Sequence, residues 1–408
     1  MLRSHLPDVV TLPQQFKNHG YISHPLHKVF NGRTVDDGHD RISWSVPYGP
    51  WKLAPGEKPA PGGYQDLKIK SQLAEAAKQG QRITGPATEG CDIVDTAYHD
   101  GSVAHTAAAR IREFSKKQQP FFLAVGLMKP HLPFIAPKKY WDLYDRSTVP
   151  LASFQSLPSG SPHHLGFCGH SGELRYYSNV PKTGPIHKPL QRALVHGYAA
   201  CVSYIDAQVG LLIRTLEECD VADDTIICFW GDHGYHLGEQ GHWGKLTNCE
   251  DAARSPLIIS APGVSGGRQV TTLTELLDIY PTLCELAGIP VPTHVEGKSL
   301  VPLLNGEEVA LHETAVTQMT RGRGKNATIG WSLRTSRHRY IEWRPVDLSG
   351  DRPVFSEVVY SIELYDYKSD PRERKNVATD SEYAVVIDQH QILFDKLLTH
   401  LPTRVYGR

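Results

Sequence analysis

Long hydrophobic runs are missing from this chain. The longest apolar stretches, Phe121 to Met128 and Thr225 to Trp230, fall far short of the about 20 residues that a membrane-spanning helix needs, so no transmembrane segment is expected. Cysteine is sparse. The seven residues Cys91, Cys168, Cys201, Cys219, Cys228, Cys249 and Cys284 form no C-x-x-C pair, and their odd number and wide spacing predict neither a zinc ribbon nor a disulfide framework. An excess of charge is missing too: 43 Lys and Arg stand against 44 Asp and Glu, a net charge of -1. No global field then draws the chain to nucleic acid or anionic membranes, and any anion it binds is held locally. The opening residues, MLRSHLPDVVTLPQQF, lack the apolar core of a signal peptide.

What is present describes a large globular chain. Its 408 residues exceed what one small core serves, and 40% hydrophobic with 21% charged residues is a folding composition. The 21 His residues are unusual, since imidazole is both a common metal ligand and a proton carrier near neutral pH.

Thr11 before Leu12-Pro13, with Gly20 closing, reads as a short capped helix, followed by a strand and loop over Tyr21 to Phe30. Asn31 to about Glu89 has no clear period and reads as loops. Asp100 is expected to cap a helix with Val103, Ala107, Ile111 and Phe114 on one face; Phe121 to Val125 then forms a buried strand. Tyr198, Val202, Ile205, Val209, Leu212 and Leu216 form the clearest helical stripe, and Thr225 to Trp230 reads as a central strand covered on both faces. After Asn305-Gly306 the character changes to antiparallel strands and a last helix over about Tyr383 to Leu398. The reading is an α/β fold with two domains, 1–306 and 307–408.

In open α/β sheets, ligands sit beyond the carboxyl ends of strands. Lys129-Pro130-His131 follows one such strand, and Asp232-His233, with Lys245 a loop further on, follows another. Together they could hold a divalent cation and an anionic group. Each alone has a plainer reading: Asp232 beside Gly shapes a turn, while His131, Lys129 and Lys28 are ordinary loop residues. His236 and His242 are expected at the surface, and Cys201 and Cys228 in the core. Asp36-Asp37 imitates a metal-binding pair but lies in loop text with no strand before it.

The runs GYISHPLHKVF, PFFLAVGLMKPHLPF, GYAACVSYIDAQVGLLIRTLEE, IICFWGDHGYHLGEQGHWGKLTN, SPLIISAPG, LLDIYPTLCELAGIP and ELYDYKSDPRERKNVA together resemble the sulfatase family, most closely its iduronate-2-sulfatase-like branch. The resemblance spans nearly the whole chain. It implies an alkaline-phosphatase-like α/β sandwich with a large, mostly parallel central sheet and a smaller C-terminal antiparallel sheet domain. By the same likeness Asp232 and His233 would bind one divalent cation, Ca²⁺ or Mg²⁺. Lys28, His131 and Lys245 would be catalytic and contact the sulfate and the leaving oxygen, with Asn31, where relatives tend to carry His, among the substrate contacts. The implied substrate is a sulfated carbohydrate or other small sulfate ester. A periplasmic, secreted or lysosomal place goes with the family, a cytoplasmic one with these residues as a complete chain.

The sequence also departs from the family. Its formylglycine arises from Cys or Ser in C/S-x-P/A-x-R, and no residue here has that context, nor is the family's early Asp-Asp strand end present. One or two βα units are therefore expected to be missing from the front. Three functions stay open: a sulfate-ester hydrolase, a non-catalytic sulfate or glycan binder, and a phosphoester hydrolase of the same superfold.

Overall fold

The computed structural model describes residues 2–36, 38–48, 63–166, 172–350 and 353–400. Asp37 and Cys168 lie outside them. Thr11 caps the helix Leu12–Asn18 by accepting from the Gln14 amide, Pro13 sits in the first turn, and Gly20 follows at φ +89°. This helix drops its buried Phe16 onto two strands, β1 (Ile22–His27) and, later in the chain, β3 (Phe121–Gly126). The strands β2 (Thr88–Cys91) and β4 (Phe134–Pro137) form a second ladder. Both ladders are parallel, with Ile22 opposite Phe121 and His27 opposite Gly126 in the first. β5 (Ile227–Trp230) is followed by a small hairpin, β6 (His236–Leu237) with β7 (Trp243–Gly244), and pairs antiparallel with β8 (Leu257–Ser260).

The helix His99–Phe114 leads into β3, and the helix Lys188–Glu218 leads towards β5. The latter is apolar and long enough to cross a membrane by length and composition. Its Leu190, Leu194, Ala200, Cys201 and Tyr204 are nevertheless buried in the main core with Phe134, Ile135 and Trp141. A parallel ladder needs a crossover, and a helix that lays an apolar stripe on the sheet supplies it.

Four local expectations change. The loop-like region after Asn31 contains a helix, Leu67–Lys78, capped by Asp66; only Leu73 and Ala76 of it are buried, too thin a stripe to show as periodicity. Asp100 does not cap its helix, which begins at His99. Within the stripe of the long helix, Val202 is exposed. The strands β3 and β5 are half-buried rather than fully covered, and Trp230 is 46% exposed.

The C-terminal part is an antiparallel sheet of β9 (Ala315–Arg321), β10 (Ala327–Arg334), β11 (His338–Asp347), β12 (Val354–Phe355) and β13 (Ser361–Asp366). The final helix, Ala384–His400, packs its buried Phe394 against it. Arg339, buried on β11, donates through Nε to Glu373 Oε1 at 2.9 Å and through Nη2 to Glu250 Oε2, while the Glu250 amide donates to Glu373 Oε2 at 3.0 Å. Glu250 belongs to the segment that follows β7, so one guanidinium joins this sheet to the loops beyond β5.

Candidate active site

At the end of β1 the chain turns sharply. His27 takes φ +60°, its Nδ1–H donates to the Gly126 carbonyl at 3.1 Å, and its own carbonyl accepts from Tyr48 at 2.7 Å. A Cβ on Gly126 would lie 2.2 Å from the Lys28 carbonyl, so only glycine lets the turn pass the end of β3. This close approach puts Lys28 at the sheet edge. Its ammonium lies 3.8 Å from Asp232 Oδ2, beyond the end of β5.

The second loop follows β3. Asp100, 1% exposed, accepts from the Met128 and Lys129 amides, each at 2.9 Å. Burial alone would raise its pKa, but the neighbouring His99, the Lys129 charge and these amides hold it below the usual carboxylate range. Lys129 folds back, donating to the carbonyls of His131 and Pro133 at 2.8 Å each. It therefore braces the loop. His131 donates Nδ1–H to the Leu132 carbonyl at 2.7 Å, which turns Nε2 outward, 3.4 Å from Glu173 Oε1. Burial lowers the His131 pKa; Lys245 and Lys28 lower it further, while Leu132 and Glu173 act against them.

The third loop follows β5. Gly234 passes so close to the next segment that a Cβ would meet the Asp251 carbonyl at 2.1 Å, and its amide donates to the Ala252 carbonyl at 2.8 Å. His233 donates Nδ1–H to the Gly234 carbonyl at 2.7 Å, leaving Nε2 3.6 Å from Asp232 Oδ1. Asp232 itself is exposed. His236 and His242, expected at the surface, are buried at 0% and 5%, packed edge to face with ring centres 5.1 Å apart; the hairpin β6–β7 tucks them under the loop.

The tips of β1 and β5 thus bring Lys28 beside Asp232 and His233, while Lys28 and Lys245, the residue after β7, lie near enough to act on the charge of His131 at the tip of β3. Asn31 is not joined to them by any contact among the described residues: its Oδ1 accepts from the Arg33 amide at 3.0 Å, an exposed turn closing on itself. Two residues that sequence reasoning missed belong here. Asp100 holds the His131 loop, and Glu173, from a turn more than 40 residues further on, meets His131. Asp100 could have been found as an acid at a helix start beside a Gly, but Glu173 carries no local signal.

Over residues 4–289 the chain matches the family description Sulfatase, and over residues 238–399 that of the N-sulphoglucosamine sulphohydrolase C-terminal region. The chain belongs to the sulfatase family. This sulfatase is 29% identical to iduronate 2-sulfatase of Mus musculus, covering 93% of its own length and 78% of that protein. It is 30% identical to a sulfatase of Formosa agariphila, covering 95% and 70%. Among solved structures, phosphonate monoester hydrolase from Silicibacter pomeroyi superposes with a TM-score of 0.68 at 20% identity, covering 96% of this chain and 80% of that one. A 2-O GAG sulfatase superposes with a TM-score of 0.63 at 22% identity, covering 96% and 74%. These likenesses establish the alkaline-phosphatase-like fold.

A divalent cation goes with the family, and this sulfatase offers donors in two places. Asp232 and His233 present an exposed carboxylate, paired with Lys28, and an imidazole whose Nδ1 is engaged by the Gly234 carbonyl, two of the six to eight ligands that Ca²⁺ takes. The pair would supply only part of a cation site. The other place is His236, Glu239 and Asp251, whose ligand atoms lie within 4.8 Å of one another. There the His236 nitrogens are already used: Nδ1–H donates to Gln240 Oε1 at 3.0 Å, and Nε2 accepts from Thr247 at 2.8 Å. Glu239 Oε2 accepts from the Leu237 amide at 2.6 Å. Burial and the nearby Glu239 and Glu373 push the Asp251 carboxyl up to about 6.

Proposed function

We propose that this sulfatase-family chain takes the sulfate ester of a carbohydrate at the tips of β1, β3 and β5, with Lys28 and Lys245 holding the sulfate oxygens and His131 facing the ester oxygen. Asp232 and His233 would hold part of a divalent cation, Ca²⁺ or Mg²⁺, whose contribution is to offset sulfonyl charge. The single observation behind this reading is the convergence of two lysines and the His131 imidazole on a spot bordered by a carboxylate–imidazole pair. The relatives named iduronate 2-sulfatase and 2-O GAG sulfatase support a sulfated sugar as the substrate class.

The chemistry follows from the protonation states. With Nδ1 engaged by the Leu132 carbonyl, Nε2 is the nitrogen left for proton transfer, and burial with the two lysines holds the His131 pKa below its ordinary value. A docked sulfate brings negative charge between the same lysines, which raises the His131 pKa and puts a proton on Nε2, where it can be given to a departing alcohol. The family nucleophile motif is not among the 408 residues. A general acid contributes about 10²–10⁴ in rate and does not replace a covalent nucleophile. That favours sulfate-ester binding without turnover as the second reading for these residues by themselves.

Calorimetry with inorganic sulfate, followed by assay of an aryl sulfate, tests both. Sulfate binding that Lys245→Ala weakens supports the site, and turnover decides between hydrolase and binder. No sulfate binding in the presence of Ca²⁺ or Mg²⁺ would overturn the proposal.

A further inference from the structure

Among the described residues the carboxylate of Glu173 is the negative group in contact with His131, and the proposed sulfate contacts make no use of it. Its Oε1 stands 3.4 Å from His131 Nε2, and 43% of the side chain is open to solvent. It is not a loose surface acid. Leu174 beside it is fully buried, Arg175 donates to the Pro181 and Gly184 carbonyls at 2.6 Å each, and the Ser178 amide donates to the Gly85 carbonyl at 3.0 Å. The turn is pinned to the segment before β2, so the carboxylate has a defined place.

That place bears on the substrate. If His131 Nε2 faces the ester oxygen, the group carrying the sulfate must lie beside Glu173, within a few ångströms of its carboxylate. A carboxylate there accepts hydrogen bonds from sugar hydroxyls and attracts an ammonium, but repels a second carboxylate where both are partly screened by solvent. We infer that Glu173 is a specificity-determining residue, which makes this site prefer sulfate esters of amino or uncharged sugars to those of uronic acids. The inference rests on the sulfate-ester reading above and adds the class of alcohol.

A matched series separates the two. Three methyl glucoside 2-sulfates that differ only at carbon 6, as aminomethyl, hydroxymethyl or carboxylate, are titrated into the full chain alongside inorganic sulfate. The expected order of affinity is amine, then hydroxyl, then carboxylate, with roughly tenfold between the ends, from one like-charge contact in partly screened surroundings. Glu173→Gln brings the three sugars within about twofold of one another, and Glu173→Asp keeps the order. Sulfate binding with equal affinity for the three sugars, or an order that survives Glu173→Gln, overturns this inference alone. Failure of inorganic sulfate itself to bind overturns the underlying reading and this inference with it.

Discussion

The Lys28 ammonium lies 3.8 Å from Asp232 Oδ2, so the ends of β1 and β5 meet although these two strands share no ladder among the described residues. An ion pair this exposed adds little stability by itself. Its meaning is positional, because it places a cationic and an anionic donor on the same rim.

The first prediction concerns the cation. Added Ca²⁺ or Mg²⁺ should raise the melting temperature through Asp232 and His233, since a ligand that binds only the folded chain stabilises it. The rise should vanish in Asp232→Asn and persist in Asp251→Asn. Differential scanning fluorimetry across a cation titration gives the answer; a rise lost only in Asp251→Asn would move the site to His236, Glu239 and Asp251.

Both lysines lower the His131 pKa, so removing either should raise it. Lys245→Ala and Lys28→Ala should each shift the His131 titration upward in NMR spectra. Each should also weaken inorganic sulfate binding by about tenfold, the effect of losing one charge-assisted contact. An unchanged His131 titration in both variants would show that the three groups do not share a hollow.

Gly126→Ala would press a methyl group to 2.2 Å from the Lys28 carbonyl. The end of β1 must then shift, with a stability loss of about 2–4 kcal/mol, and Lys28 leaves its place. Thermal unfolding together with sulfate titration measures both; normal sulfate affinity in a folded Gly126→Ala protein would contradict the account of the turn.

Acid should unfold the chain through its buried histidines. Burial lowers His24, His27 and His236 to about 4, whereas in the unfolded chain they take a proton near 6.5. Below pH 6.5 the unfolded state binds more protons, so this stability is present above 6.5 and is lost as pH falls towards 4. Two to three protons taken up near pH 5 correspond to a loss of roughly 3 kcal/mol per pH unit. Both His24 ring nitrogens are buried without a hydrogen-bond partner among the described residues, the ring lying edge to face on Phe114. His24→Phe should therefore reduce the slope by about one proton in denaturant titrations from pH 7 to 5.

The order of helices, strands and glycine loops was legible because each is written locally: Thr11 and Gly20 bracket one helix, and apolar TIICFW runs into Gly231-Asp232-His233. Residues set by distant partners were not. Asp100 reads as a cap because an acid at a helix start usually is one, yet its carboxylate is claimed by amides 28 and 29 residues away. His236 reads as a surface group in a Gly-rich loop, and only the hairpin around it, with Gln240 and Thr247, makes a neutral buried imidazole affordable. Glu173 becomes visible only once the turn carrying it is set against His131.

The guanidinium of Arg339 also limits how this protein can be recombined. A hybrid that joins residues 1–306 to the tail of a relative keeps Glu250 but trusts the donor to supply its counter-charge at the same spot on β11. A junction placed upstream of Glu250 carries both halves of the contact together, so crossover points in laboratory chimaeras should be tolerated there and rejected near residue 306.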